Sequence, residues 1–297
     1  MDSHNKGMTH MRAKSLLAGA ALMAGLGVLT GCGGSITGSP TAVGSSSGSS
    51  GQSGAGSQLG SQVKTVSDLS NLVGNKVEQA TTVQVTMKSA ASTTTGSIKF
   101  GDPLAEKMTI TAPTGNEQVL LVNNVFYMQI PSLSQVTGKP WLKVDPSDSS
   151  NPANQFLGSI VSSIKQNADP TQMLKNLEAG GTLNSSDTEQ LNGQSTTHYK
   201  ITVNISKMIA NQTDPTMKQL LTVAQQSGLH DYPVEVWLDS HGLPAQTTIN
   251  MPGLGAGAGG LSTITYSNWG APVTITPPPD DQVGTMPTMP TMPTTGG

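Results

Sequence analysis

Leu191-Asn192-Gly193-Gln194, continued by Ser195-Thr196-Thr197-His198-Tyr199-Lys200-Ile201-Thr202-Val203, decides the fold class. Asn-Gly tolerates the positive φ of a two-residue hairpin turn. Beyond it Tyr199, Ile201 and Val203 alternate with His198, Lys200 and Thr202, the period of a half-buried strand. Downstream, Val234, Val236 and Leu238 compose another strand, with Trp237 on its other face. Asp239-Ser240-His241-Gly242 turns the chain into Thr247, Ile249 and Met251. Ile264 and Tyr266 follow, and Val273 and Ile275 read as the last strand before Pro277-Pro278-Pro279.

The same period returns nearer the start. Val83, Val85 and Met87 alternate with Thr82, Gln84, Thr86 and Lys88. A polar turn over 89–95 leads to Ile98 and Phe100, then Met108, Ile110 and Ala112 alternate. The run 119–122 is apolar on both faces, Asn123-Asn124 marks a turn, and Phe126, Met128 and Ile130 share one face. Trp141, Leu142 and Val144 form a short strand ended by Asp145-Pro146. Successive hairpins with one apolar face make an antiparallel meander rather than βαβ units.

Helical spacing interrupts the strands at four places. Ser67 or Asp68 can cap a helix carrying Leu69, Leu72, Val73 and Val77. Phe156, Ile160 and Ile164 are spaced by four, with Leu157 and Val161 beside them. Asp169-Pro170-Thr171-Gln172 starts a helix that Gly180-Gly181 ends, and Asp214-Pro215 starts one with Met217, Leu220, Leu221 and Ala224. These amphipathic helices are the available cover for the apolar sheet face.

The N-terminal segment is of another kind. Arg12 and Lys14 precede an apolar run over 16–29, the pattern of a secretory signal. That run is shorter than the ~20 residues of an ordinary transmembrane helix. Leu29-Thr30-Gly31-Cys32 resembles a bacterial lipobox, which implies diacylglycerol on the Cys32 thiol and cleavage before Cys32. Cys32 is the one cysteine of 297 residues, so no internal disulfide holds the fold. The expected organisation is a signal peptide over 1–31, lipidated Cys32 with a Gly/Ser-rich tether over 32–64, a folded domain over 65–280 and a disordered Thr-Met-Pro tail over 281–297. The start of this signal is Met1, Met8 or Met11, all three of which precede the apolar run. The Gly/Ser-rich stretch 33–60 within the tether, about 28 residues, gives a mean reach of about 30 Å.

Charged residues are 11% of the chain and its net charge is −3. No basic patch supports nucleic-acid binding. Several motif matches lack their mechanical context. Gly44-Ser45-Ser46-Ser47-Gly48 fits the G-x-S-x-G pattern without the strand before it or the helix after it. Gly255-Ala256-Gly257-Ala258-Gly259-Gly260 fits a dinucleotide fingerprint, but a strand follows it. Ser162-Ser163-Ile164-Lys165 fits the S-x-x-K pattern of penicillin-binding serine enzymes, with Tyr266-Ser267-Asn268 as a loose second motif and no K-T-G. His198, His230 and His241 show no metal-ligand spacing and read as surface residues. Met286, Met289 and Met292 would share one face of a polyproline helix, about 9 Å apart, too far to share a Cu(I) ion. The reading is of a protein that is no enzyme and has no cofactor or metal.

Asn192-Gly193 with Tyr199-Lys200-Ile201-Thr202-Val203, Val236-Trp237-Leu238-Asp239 with Gly242-Leu243-Pro244, and Tyr266-Ser267-Asn268-Trp269-Gly270-Ala271-Pro272-Val273-Thr274-Ile275 resemble the LppX/LprG group of actinobacterial cell-envelope lipoproteins, similar in fold to LolA and LolB. The resemblance extends over 65–283 in element order. It implies an α+β fold: a strongly curved antiparallel sheet, or half-barrel, with amphipathic helices in its concave face. It also implies an acylated lipid or glycolipid ligand, membrane attachment on the extracytoplasmic side, and an envelope transporter as a partner. The candidate cavity lining is Val83, Val85, Met87, Met108, Ile110, Phe126, Met128, Ile130, Phe156, Ile160, Ile164, Met217, Leu221, Ile249 and Met251. Unbranched methionine suits acyl chains of varied length. The same residues would also pack as a closed core, in which case the protein is a lipid-anchored sensory or accessory module that binds a protein partner.

Overall fold

The computed structural model describes residues 62–148, 170–213, 215–251 and 260–285. Within them the alternating segments form one sheet. Its first half is β1 (Thr82–Lys88), β2 (Thr93–Lys99), β3 (Ala105–Ala112), β4 (Gly115–Val122), β5 (Val125–Gln129) and β6 (Trp141–Val144). Its second half is β7 (Gly181–Leu191), β8 (Gln194–Asn204), β9 (Asp231–Leu238), β10 (Pro244–Met251) and β11 (Gly260–Ser267), with a last short strand β12 (Val283–Thr285). The order across the sheet is β12-β6-β5-β4-β3-β2-β1-β11-β10-β9-β8-β7. It is an open, curved α+β sheet. The neighbours pair antiparallel except β12 with β6, which are parallel. The two halves meet where β1 pairs β11, with Val85 opposite Tyr266 and Met87 opposite Ile264.

Turn chemistry sets the hairpins. Asn123 and Asn124 take φ of 51° and 64°, and Asn192 and Gly193 take 51° and 82°. These are the left-handed conformations a tight hairpin demands. Residues 89–92 make the turn after β1, so Thr93, Thr94 and Thr95 belong to β2 rather than to the turn.

The helices are α1 (Val66–Ala80), α2 (Pro131–Thr137), α3 (Pro170–Glu178), α4 (Ile205–Asn211) and α5 (Pro215–Gln226). Thr65 caps α1: its hydroxyl accepts from the Asp68 N–H at 3.1 Å, and the Asp68 carboxylate accepts from the Thr65 N–H at 2.9 Å. This reciprocal box replaces the expected cap at Ser67 or Asp68. Backbone donation from Lys64, then the Thr65 contacts, holds the Asp68 carboxyl below its usual range. The sequence reading missed α2, α4 and β7.

Apolar burial falls into three clusters. The largest joins Leu69, Val73 and Val77 of α1 and Leu177 of α3 to Tyr199, Ile201, Val234 and Val236 of β8 and β9. A second joins Val119, Leu121, Phe126, Met128, Leu142 and Val144 on β4–β6. A third, of Val83, Ile98 and Tyr266, lies at the centre. Trp269 stacks near Tyr266 and donates its indole N–H to the Pro244 carbonyl at 2.8 Å.

Two expectations about the C-terminal part are corrected. Val273 and Ile275 lie in irregular chain, not in a strand. Order also continues past Asp280, as a 3-10 turn over Asp280–Gln282 and then β12. β12 holds because Lys139 donates its ammonium to the Asp281 carbonyl at 2.6 Å beside the β6 pairing.

Burial pushes the phenols of Tyr199 and Tyr232 up to about 12. Their unfolded value is 10.0. Between these values the folded chain holds more protons than the unfolded chain, so stability falls as pH rises. Thermal melting is expected to show constant stability just below pH 10 and a progressive loss toward pH 12, and Tyr199→Phe to flatten that loss. A melting temperature independent of pH over this range would contradict the assignment.

Candidate functional site

Cross-strand register places the apolar residues on one face. On β3, β2 and β1 the row is Met108, Gly96 and Val85. The next row runs Ile110, Thr94, Met87, then Ile264 of β11 and Thr247 of β10. Ile249 and Met251 extend it along β10. Most of this central strip is half-buried, and Met87 is 38% exposed. On either side the apolar face is closed: Phe126 and Leu121 at one end and Tyr199 and Val234 at the other are fully buried.

The candidate lining therefore divides. Val83, Phe126 and Met128 are packed in buried clusters. Val85, Met108, Ile110, Ile249 and Met251 are half-buried on the same sheet face, whereas Ile130 lies just past β5 as the N-cap residue of α2, half-buried against the second cluster. Leu221 is half-buried on α5 against the largest cluster, and Met217 falls on α5. Phe156, Ile160, Ile164 and Cys32 lie outside the described residues, as do Ser162 and Lys165 of the S-x-x-K match. Ser267 and Asn268 close β11, where the Asn268 amide donates to the Gln84 side chain at 2.8 Å.

A cavity of about 720 Å³ sits at the junction of the three clusters, between α1, α3 and the link from β2 to β3. Its floor is Phe100, Leu104 and Val77. Leu104 packs against the second and third clusters, and Phe100 against the first and third. Its walls are polar: Asn71, Asn75 and Glu78 from α1 face Gln172 and Lys175 from α3. The two helices approach closely at Gly74, where a Cβ would stand 2.9 Å from the Thr171 methyl.

Ser70 also lines this cavity, is fully buried, and its hydroxyl has no hydrogen-bond partner. The Tyr199 and Thr247 hydroxyls, on the sheet face below, are likewise buried and unpartnered. Leaving such a group unsatisfied costs about 1–3 kcal/mol. Glu106 is a further polar residue the sequence reading missed, buried in the row of Ile98 and Leu121.

The opposite face of the sheet carries a different cluster. His198 is buried rather than at the surface as expected. Its ring stacks on Trp237 with centroids 4.1 Å apart, Nδ1 meets Glu189 Oε2 at 2.6 Å, and Nε2 meets Glu235 Oε2 at 2.9 Å. The Trp237 indole also donates to Glu189, at 3.2 Å. This ties β7, β8 and β9 together. Among the described residues no group of three or more His, Cys, Asp or Glu is placed to hold a metal ion. Among them, too, no helix is long and apolar enough to cross a membrane.

Fold and site together define an α+β half-barrel with a partly open apolar face. Among the chains similar to it is a lipoprotein. LppX of Mycobacterium tuberculosis is 18% identical, matches 71% of this chain and 98% of its own, and superposes with a TM-score of 0.45. LprF of Mycobacterium bovis is 15% identical over 73% of this chain and 99% of its own, with a TM-score of 0.41. MucB in the MucA/MucB complex of Pseudomonas aeruginosa is more distant, with a TM-score of 0.33 and 60% of that chain covered. In sequence, an uncharacterized 31.2 kDa protein of Streptomyces griseus, from the rplA-rplJ intergenic region, is 25% identical over 221 residues, 68% of this chain and 70% of its own. No family model matches.

Proposed function

We propose that the protein is a membrane-anchored lipoprotein that binds an acylated lipid or glycolipid against the central strip of its sheet and carries it across the cell envelope. The observation that carries this reading is the half-open apolar strip between two closed clusters. A packed core has no reason to stop at Val85, Met87, Ile110 and Ile264 and resume on both sides. Acyl chains laid on that strip gain about 0.8 kcal/mol per methylene relative to water. Their exchange with a bilayer is then nearly balanced, which lets a carrier load and unload. Cys32 fits lipid attachment through its lipobox sequence, on the extracytoplasmic side.

The test is native mass spectrometry of a soluble form spanning 62–285, followed by organic extraction. These bounds keep Val63, which packs in the largest cluster, and β12. A retained acylated species is the expected result. A clean apo mass after incubation with phospholipid and glycolipid would overturn the reading in favour of a closed module that binds a protein. Met87→Asp places a carboxylate on the strip at an already exposed position, so folding is expected to survive. A charge covered by acyl chains is costly, and lipid retention is expected to fall at least about tenfold. Retention equal to the parent chain would place the lipid elsewhere.

A further inference from the structure

We infer that the domain docks end-on against a lipid bilayer, through the end of the sheet where β1, β8 and β10 finish and β7, β9 and β11 begin. The inference rests on the membrane-anchored reading and adds how the tethered domain meets its membrane. Exposed apolar residues scattered singly over a surface need no explanation. Here they are gathered. Among the described residues the exposed large apolar side chains are Met87, Leu220, Val223 and Leu261, at 38%, 59%, 52% and 58% exposure. Met87 stands one residue before the finish of β1, and Leu261 one residue after the start of β11. Leu220 and Val223 stand one turn apart on α5. α4 and α5 together link the finish of β8 to the start of β9. Two contacts hold them there: the Gln225 amide donates to the Ser206 hydroxyl at 2.6 Å, and the Ile205 N–H donates to the His230 carbonyl at 2.9 Å. All four apolar residues therefore lie at one end of the sheet.

The folded chain begins at the same end. Val63 packs in the largest cluster, and Val66 opens α1 beside the start of β7, where a Cβ on Gly181 would stand 3.1 Å from a Val66 methyl. α1 then runs to the opposite end, where a Cβ on Gly242, in the turn from β9 to β10, would stand 3.5 Å from Lys76. A mean reach of about 30 Å for the stretch 33–60 thus keeps the apolar end, not the far one, beside a bilayer that receives Cys32. The strip is oriented the same way. Met87 and Ile110 lie at its open end, while Val83 and Ile98, at 0% and 1% exposure, close the other. A docked domain presents the open end to the acyl chains of the membrane. Charges of both signs flank the apolar residues, Lys88, Lys207 and Lys218 among Glu117, Glu178 and Asp231. Burial of apolar area, rather than attraction to anionic headgroups, is therefore the driving term.

The full chain is purified from membranes in mild detergent and reconstituted on vesicles of uncharged phosphatidylcholine. Leu220→Cys, Leu261→Cys and Ser240→Cys, each made singly and checked for an unchanged melting temperature, take a thiol-reactive nitroxide. Ser240 is exposed in the turn from β9 to β10, at the far end. Accessibility to oxygen, which concentrates in the bilayer, and to a water-soluble nickel chelate then reads the depth of each label. The expected result places the labels at 220 and 261 about 5–10 Å into the headgroup and acyl boundary, and the label at 240 in water. Leu220→Ser together with Val223→Ser is expected to return the label at 261 to water. Vesicle-bound chains with all three labels in water overturn the inference and leave the anchoring standing. Labels at 220 and 261 shielded from both reagents also overturn it, since protein, a second copy or another chain, would then cover that end. Two nitroxides per chain would show a free Cys32 thiol, which removes the anchoring reading and the inference with it.

Discussion

Alanine at Cys32 is expected to abolish incorporation of labelled acyl chains and to leave the chain unprocessed, heavier by its 31 leader residues. The argument is chemical. The thiolate is the nucleophile that receives a diacylglyceryl group, and Cys32 is the chain's one thiol. The lipobox resemblance makes cleavage follow that transfer, so both readouts depend on the same sulfur. One acyl chain gives marginal membrane binding and two give stable anchoring, so a diacylated chain would stay with the bilayer. Continued labelling in Cys32→Ala, or normal maturation, would contradict lipid attachment at this residue. The experiment reads mass and label instead of fractionation alone, because an uncut leader with its apolar run over 16–29 would itself adhere to membranes.

The second large effect is expected at Gly96. This residue lies on β2, between Val85 and Met108 in the cross-strand row. A Cβ built on it would collide with the Met108 Sδ and with the Lys107 carbonyl oxygen. The methionine tip can turn away, but the carbonyl belongs to the neighbouring strand and cannot move without disturbing the β2–β3 pairing. Gly96→Val is expected to destabilise the domain by about 2–4 kcal/mol, a drop of roughly 5–15 °C in melting temperature for a domain of this size. Ser97→Ala, the next residue and on the other face, is expected to change stability by about 0.5 kcal/mol or less. Equal melting of the two variants would mean that β2 and β3 do not pair in this register. Gly96 also leaves the strip without a side chain at its midpoint, a groove Met108 partly fills.

Alternation made most of the sheet legible. Val83 to Met87, Met108 to Ala112 and Tyr199 to Val203 each show one apolar residue in two, and each is a strand. β7 was not legible, because it is an edge strand held by its pairing with β8, with Leu183 opposite Ile201 and otherwise mostly polar residues. α4 did carry a signal: Asn204 accepts from the Lys207 N–H at 3.0 Å, an N-cap readable from sequence. β12 spans Val283–Thr285 and depends on a partner far away in the chain, which no local pattern reveals. His198 was correctly placed opposite the Tyr199 face. Its burial came from Trp237 and two carboxylates on adjacent strands, and cross-strand neighbours are invisible before register is known. The polar cavity escaped for the same reason, since Asn75 and Gln172 sit on helices whose approach depends on Gly74 and Thr171.

The seam between β1 and β11 has a kinetic consequence. On one side of it lie β1 to β6 in consecutive order, and on the other β7 to β11, also consecutive. Each half is a local meander that can assemble as it is synthesised. The seam joins Gln84 to Ser267, more than half the chain apart. Closing so long a loop carries the largest entropic cost in the sheet, and such pairings form slowly. Two preformed halves zipping together late is therefore the expected route. Until that step the edges of β1 and β11 stand bare, and the chain is then most vulnerable to association with its own copies. A chain tied near its N-terminus to a bilayer would pass through that stage spread over a surface rather than free in bulk solution.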